Sequence, residues 1–149
     1  MNTDWETIYT IDILTFRKFK PIKENFLTPV FKKKILKNLS GLIKKENIDK
    51  GFIPWLDKIN SIPSIVTVFS CEGHKANYPY FGILVDKVTH NKLLKKAHLT
   101  NNIFNIHCDW INTFKKADRK NIPSANKIRW FFHFKKLSDI DTILKWIKE

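Results

Sequence analysis

Residues 127–135 read Lys-Ile-Arg-Trp-Phe-Phe-His-Phe-Lys, and this alternation constrains the fold more than any other stretch of the chain. Successive side chains of a β-strand point to opposite faces. Ile128, Trp130, Phe132 and Phe134 therefore share one side, and Lys127, Arg129, Phe131, His133 and Lys135 the other. A helix would scatter these rings around its circumference. Residues 103–112 repeat the pattern, with Phe104, Ile106, Cys108 and Trp110 on one face and Asn105, His107 and Asp109 on the other. Two such strands need a layer over their apolar side, and they display the second side to solvent or to a ligand.

Other segments supply that layer. Thr28 and Pro29 open a helix with Phe31, Ile35, Leu36, Leu39, Leu42 and Ile43 on one face and Lys32, Lys33, Lys34, Lys37 and Lys44 on the opposite one. Gly51 and Pro54 punctuate a loop. Trp55, Leu56, Ile59 and Ile62 then describe a short helix that stops at Pro63. Residues 65–70 and 80–86 are rich in β-branched and aromatic side chains and predict two further strands joined by a polar loop. Thr89 suits the cap of a short helix over 90–98, and Ser138 the cap of a last helix carrying Ile140, Ile143, Leu144 and Ile147 inward. In residues 1–27, Thr3-x-x-Glu6 reads as a capping box and favours a helix, although Thr7, Ile8, Thr10, Ile11 and Ile13 also suit a strand. The expected order is α-α-β-β-α-β-β-α. It predicts an α+β fold, a single domain over 1–149, with a roughly four-stranded, largely antiparallel sheet and helices packed on one face.

Charge narrows the class of partner. The 149 residues carry 27 Lys+Arg against 14 Asp+Glu, a net +13. Only Arg17, Arg119 and Arg129 are arginine, and the abundance of Lys, Ile and Asn is what an AT-rich genome writes into neutral positions. That bias does not account for the shortage of carboxylates, so an anionic partner, nucleotide or RNA, is favoured. At 43% hydrophobic residues the chain is too apolar for a disordered basic tail. No apolar run approaches the ~18 residues of a membrane span, and no signal peptide opens the chain, so the expectation is a soluble cytoplasmic protein. Cys71 and Cys108 do not suggest a disulfide framework in that setting.

The stretch Ser70-Cys71-Glu72-Gly73-His74 carries the most chemistry. A strand ends there, and glycine permits a tight turn whose backbone N–H groups can form a nest for an anion. Ser70, Cys71, Gly73 and His74 are accordingly candidate ligand-binding residues. They are joined by Asn105, His107, Asp109, Arg129, Phe131 and His133 on the polar strand face. In this reading the Arg129 fork grips a phosphate and Phe131 stacks on a base. Cys71, with His74 or His107 as base, is the candidate nucleophile. A plain hairpin turn with a buried Cys71 fits the same residues. Cys71-x-x-His74 also has metal-ligand spacing, extensible to His107 and His133. His107 and Cys108, however, point to opposite faces of a regular strand and cannot share one ion. The reading adopted assigns no metal and places Cys108 in the core.

Leu56-Asp57-Lys58-Ile59-Asn60-Ser61-Ile62-Pro63, then Thr67, then Ser70-Cys71-Glu72-Gly73-His74 resemble the tRNA wybutosine-synthesising methyltransferase family over about residues 45–87. Asp49-Lys50-Gly51 is similar to a segment that precedes the helix in that family. The resemblance implies an α/β fold with a Cys-x-Gly turn at its active centre, S-adenosylmethionine as cosubstrate and a hypermodified guanosine in tRNA as substrate. Glu72 and His74 stand where the family has Ser and Arg. The expected function is binding of a phosphate-bearing nucleotide or nucleic acid at the turn and the adjacent polar face, with an RNA-modifying enzyme as its catalytic form. The alternative is a non-enzymatic protein, of the viral counter-defence type that a small AT-biased chain suits. It would sequester a signalling nucleotide or mask a protein partner.

Overall fold

The computed structural model describes residues 10–11, 21–74, 78–97, 103–111 and 127–149, with the backbone alone at 10, 11, 110 and 111. Its elements in chain order are β1 (Thr10–Ile11), a 3₁₀ turn (Lys23–Asn25), α1 (Pro29–Lys44), α2 (Ile53–Asn60), β2 (Ile65–Cys71), β3 (Tyr80–Val85), α3 (Lys87–Lys96), β4 (Phe104–Ile111), β5 (Lys127–Phe134) and α4 (Asp139–Lys148). The strands form one antiparallel sheet in the order β1-β4-β5-β3-β2. The fold is α+β, with four long strands and a two-residue pairing at one edge.

Alternation decides what is buried. Phe81, Ile83, Val85, Cys108, Ile128, Trp130, Phe132 and Phe134 turn to one face and meet Leu56 and Ile59 of α2, Leu93 of α3 and Ile140, Ile143, Leu144 and Ile147 of α4. Cys108 is fully buried there, as expected of a core thiol. The helix α1 runs beside edge strand β2. Its Ile35 joins Leu27, Val66 and Leu84 in a smaller cluster on the other side of the sheet, with Phe31, Leu36 and Val68 around it.

Local signals hold at most boundaries. Thr28 caps α1 by accepting from the Phe31 N–H, with Pro29 in the first turn. Three expectations are corrected. The helix α3 begins earlier than residue 90, because the Asp86 carboxylate, not Thr89, is the cap and accepts the Thr89 N–H at 2.8 Å. Pro54 lies inside the first turn of α2, where its missing N–H has no partner to lose. Thr10 and Ile11 pair with Asp109 and Cys108 as a strand, not a helix, since β4 offers an edge that β-branched residues can complete. The Thr3–Glu6 capping box lies outside the described residues.

One irregularity positions everything that follows. Thr67 pairs with Ile83, and Phe69, not Val68, pairs with Gly82. The extra residue at Val68 is a β-bulge, and it reverses the parity of the rest of β2. Phe69 and Cys71 thereby turn to the face of Leu84, and Ser70, opposite Phe81, turns away from it. Asn60, at the end of α2, locks the bulged edge: its Oδ1 accepts the Thr67 N–H and its Nδ2 donates to Thr67 Oγ1, both at 2.9 Å.

Candidate functional site

On the face opposite the main core, side chains stand in three rows across the strands. The first runs Val66, Leu84, Arg129, Asp109; the second Phe69, Gly82, Phe131, His107; the third Cys71, Tyr80, His133, Asn105. The turn and the polar face, separate in the sequence, are thus joined through Tyr80.

The first row is sealed. Arg129 and Asp109 have no exposed surface and form a bidentate pair, Nε to Oδ1 at 2.9 Å and a terminal guanidinium nitrogen to Oδ2 at 2.5 Å. The two residues are directly opposite in register, which is what lets the planar fork meet the carboxylate. Burial pushes the Asp109 carboxyl up, and Arg129 opposes the shift. The guanidinium carbon lies 5.0 Å from the Phe69 ring centre and 4.7 Å from that of Phe131. Gly82 makes room for this arrangement: a Cβ there would approach Arg129 Cδ to 2.8 Å and Phe131 to 3.1 Å. The expectation that Arg129 and Asp109 are displayed, with Arg129 gripping a phosphate, is therefore corrected. Their charges neutralise each other inside the protein. Phe131 is also corrected as an open stacking surface, being only 2% exposed.

The third row is open at its end. Asn105 is exposed, and Tyr80 and His133, with His107 of the second row beside them, are half-buried. Phe131 forms the floor: its ring lies 5.1 Å from Tyr80, 4.9 Å from His107 and 4.8 Å from His133, and the two imidazoles stack at 5.5 Å. Burial lowers both histidines to about 4, helped by Arg129 and, at His133, by the neighbouring His107. Both are neutral at pH 7, so each ring offers one donor and one acceptor. Exposed Tyr78 and Lys135 line a crevice of about 90 Å³ with Asn105 and His133.

At the other end of this row lies the turn. Gly73 sits at φ 89°, a left-handed conformation that a Cβ disfavours, and this reversal brings His74 back over Cys71. The turn does bind an anion, but the anion is the protein's own. Asp49, from the loop before α2, accepts the Glu72 N–H at 3.0 Å and contacts His74 Nε2 at 3.1 Å through the same Oδ2. Glu72 in turn lies against Gly51, where a Cβ would require the flexible Glu72 carboxylate to swing aside. Burial raises the Asp49 carboxyl, but the Glu72 N–H, His74 and the Cys71 thiol outweigh it and hold the group below its usual range. Burial and Asp49 together push the Cys71 thiol up, against hydrogen bonds from the Gly73 N–H and Tyr80, so the sulfur is a poor nucleophile in this state. His107 and His133, floored by Phe131, lie outside the Asp49–Cys71–His74 cluster.

Sequence reasoning missed Asp49 as a partner of the turn and Tyr80 as the link between its two halves. Gly51 was the available signal for the first, since the missing side chain there leaves room for the Glu72 carboxylate of the turn to lie against that loop. Nothing in the β-branched run 65–68 signals the bulge that aims Cys71 at Tyr80.

The lysines divide similarly. Lys32 caps the end of α2 through the Asn60 and Ile62 carbonyls, and Lys127 donates to the carbonyls of Glu24 and Phe26 and lies over the Phe31 ring. Lys33, Lys34, Lys37 and Lys44 are exposed on α1, which contains no acidic residue, and Lys34, Lys37 and Lys45 line a groove of about 470 Å³. No helix among the described residues is long and apolar enough to cross a membrane. No protein-family model, curated protein or solved structure matches the chain.

Proposed function

We propose that the protein binds single-stranded nucleic acid or a nucleotide by laying a base on the Tyr80–His133–Asn105 end of the sheet. The observation that carries this reading is the shelf itself: two neutral imidazoles and a tyrosine ring over a buried Phe131, with Asn105 at the open rim. Flat rings accept a base by stacking, and neutral imidazoles and an amide can pair with its edges without placing a cation against it. The adjoining crevice of about 90 Å³ falls well short of the roughly 300–1,000 Å³ of an enclosed ligand pocket. That favours an open surface which a strand crosses over a closed nucleotide pocket. With Arg129 committed to Asp109, phosphate attraction falls to the exposed lysines of α1 and to Lys135 and Lys136.

The test is a titration with single-stranded RNA and DNA oligonucleotides and with mononucleotides at two salt concentrations. Oligonucleotides should bind with a steep salt dependence. His133→Ala should weaken them about tenfold or more, a stacking contact being worth ~1–3 kcal/mol per base. Tyr78→Ala should act in the same direction with a smaller effect. Absence of binding, or affinity indifferent to His133→Ala and Tyr78→Ala, would remove this reading. S-adenosylmethionine belongs in the same titration, because its binding is what an RNA-modifying enzyme similar to the wybutosine methyltransferase requires. Tight mononucleotide binding without turnover would instead support sequestration.

A further inference from the structure

We infer that Asp49, Cys71 and His74 form a three-ligand site for a divalent transition ion of intermediate softness, zinc being the candidate. The three groups come from two separate segments, and one ligand atom from each lies within 4.8 Å of the others. In a tetrahedral zinc site with bonds of about 2.0–2.3 Å, neighbouring ligand atoms stand roughly 3.3–3.8 Å apart. Asp49 Oδ2 and His74 Nε2, at 3.1 Å, already have nearly that spacing. The cluster therefore needs to close around an ion, not to be assembled by one.

The backbone keeps the donors converged. Gly73 at φ 89° reverses the chain so that residues 71 and 74 reach one point, and the Glu72 N–H holds the Asp49 carboxylate in place through Oδ2, the oxygen that also faces His74. The donor set selects the ion. A thiolate and an imidazole disfavour Mg²⁺ and Ca²⁺, which prefer oxygen ligands only, while one sulfur, one nitrogen and one oxygen suit zinc. His74 is 59% exposed and Asp49 29%, so the outward side stays open for water or an external ligand. Three protein ligands with an open fourth position is the arrangement of a Lewis-acid site, not of a closed structural one. Protons balance simply. Cys71 releases its thiol proton to solvent, and His74 carries its proton on Nδ1 and offers the Nε2 lone pair. The site neighbours Tyr80 of the shelf, but its metal binding does not depend on a base binding there.

Metal-stripped protein titrated with Co²⁺, with no nucleotide present, tests this directly. One equivalent should produce thiolate-to-cobalt charge-transfer absorption, and Zn²⁺ should bleach it with release of Co²⁺. Cys71→Ser should abolish the band. His74→Ala and Asp49→Asn should each weaken binding at least about tenfold. The amide introduced by Asp49→Asn retains an acceptor for the Glu72 N–H, so a loss in that variant reports on the metal and not on the turn. Cys108→Ala, in the core, should leave the band unchanged. A wild-type protein without the band, or a band that survives Cys71→Ser, would overturn the inference and leave Asp49 as a lock on the turn.

Discussion

The two ends of one sheet face solve opposite problems. At the Arg129 end a full positive and a full negative charge are taken out of water and tied together in register, with phenylalanines on either side. At the Tyr80 end similar strands carry neutral rings and an amide that remain in reach of solvent. Only three residue pairs of antiparallel ladder lie between them, Cys108–Trp130, His107–Phe131 and Ile106–Phe132. The strongest cation on the face is therefore its least available one, and the weakest bases, His107 and His133, lie where a ligand can reach. Charge type alone is a poor guide to a binding surface when a partner of opposite sign stands directly across the ladder.

Breaking the sealed end should have the largest effect. Asp109→Ala strands the Arg129 guanidinium in the interior, and chemical denaturation should register a loss of about 3–5 kcal/mol. His133→Ala at the open end should cost well under that. Equal costs would show that the two ends are not distinct. Replacing both Asp109 and Arg129 by apolar residues of similar volume should recover most of the loss, because no unpaired charge remains.

A smaller loss is expected from Gly82→Ala. Its methyl group would reach 2.8 Å from Arg129 Cδ and 3.1 Å from Phe131, so the side chains over β3 must shift. The cost should be roughly 1–3 kcal/mol, typical of overpacking. Full wild-type stability would mean that the Arg129 side chain relaxes without strain.

Acid titration sharpens the contrast further. His107 and His133 are lowered to about 4, as is His90, buried in the core where it accepts from the Trp130 indole at 3.1 Å. Between pH 6.5 and 4 the unfolded chain binds more protons than the folded one. Stability from these groups is complete above the unfolded value and is lost as pH falls towards 4. Each histidine should contribute a slope of up to about 1.4 kcal/mol per pH unit in that window. His133→Gln should remove one such increment. A slope unchanged in that variant would show that His133 titrates normally and that the shelf is wetter than its packing indicates.

Much of this fold is legible from local pattern. The alternation in 103–112 and 127–135 specifies which side chains go inward, and the structure buries Phe104, Cys108, Trp130 and Phe132 accordingly. The capping residues of α1 and the inward faces of α1 and α4 are equally local, because a cap or a face involves only near neighbours in sequence. Within 56–74, Asn60 and Thr67 hold α2 to the bulged edge of β2, a contact between positions only seven apart in sequence. The candidate site is legible only as a set of residues. Nothing in the spacing of the turn and strand positions tells which are sealed, which are open and which face away, as Ser70 does.

The strands, their inward faces, the helices that cover them and the excess of positive charge are all written locally in the chain. Those properties follow from side-chain period and composition, which are carried along the chain one residue at a time. The tertiary structure alone decided register and parity. A single extra residue at Val68 turns Cys71 towards Tyr80, the β4–β5 pairing commits Arg129 to Asp109, and a loop well upstream of Cys71 places Asp49 in the turn. Each is a choice between chain segments remote in sequence, made by whichever pairing leaves no buried charge or backbone group without a partner.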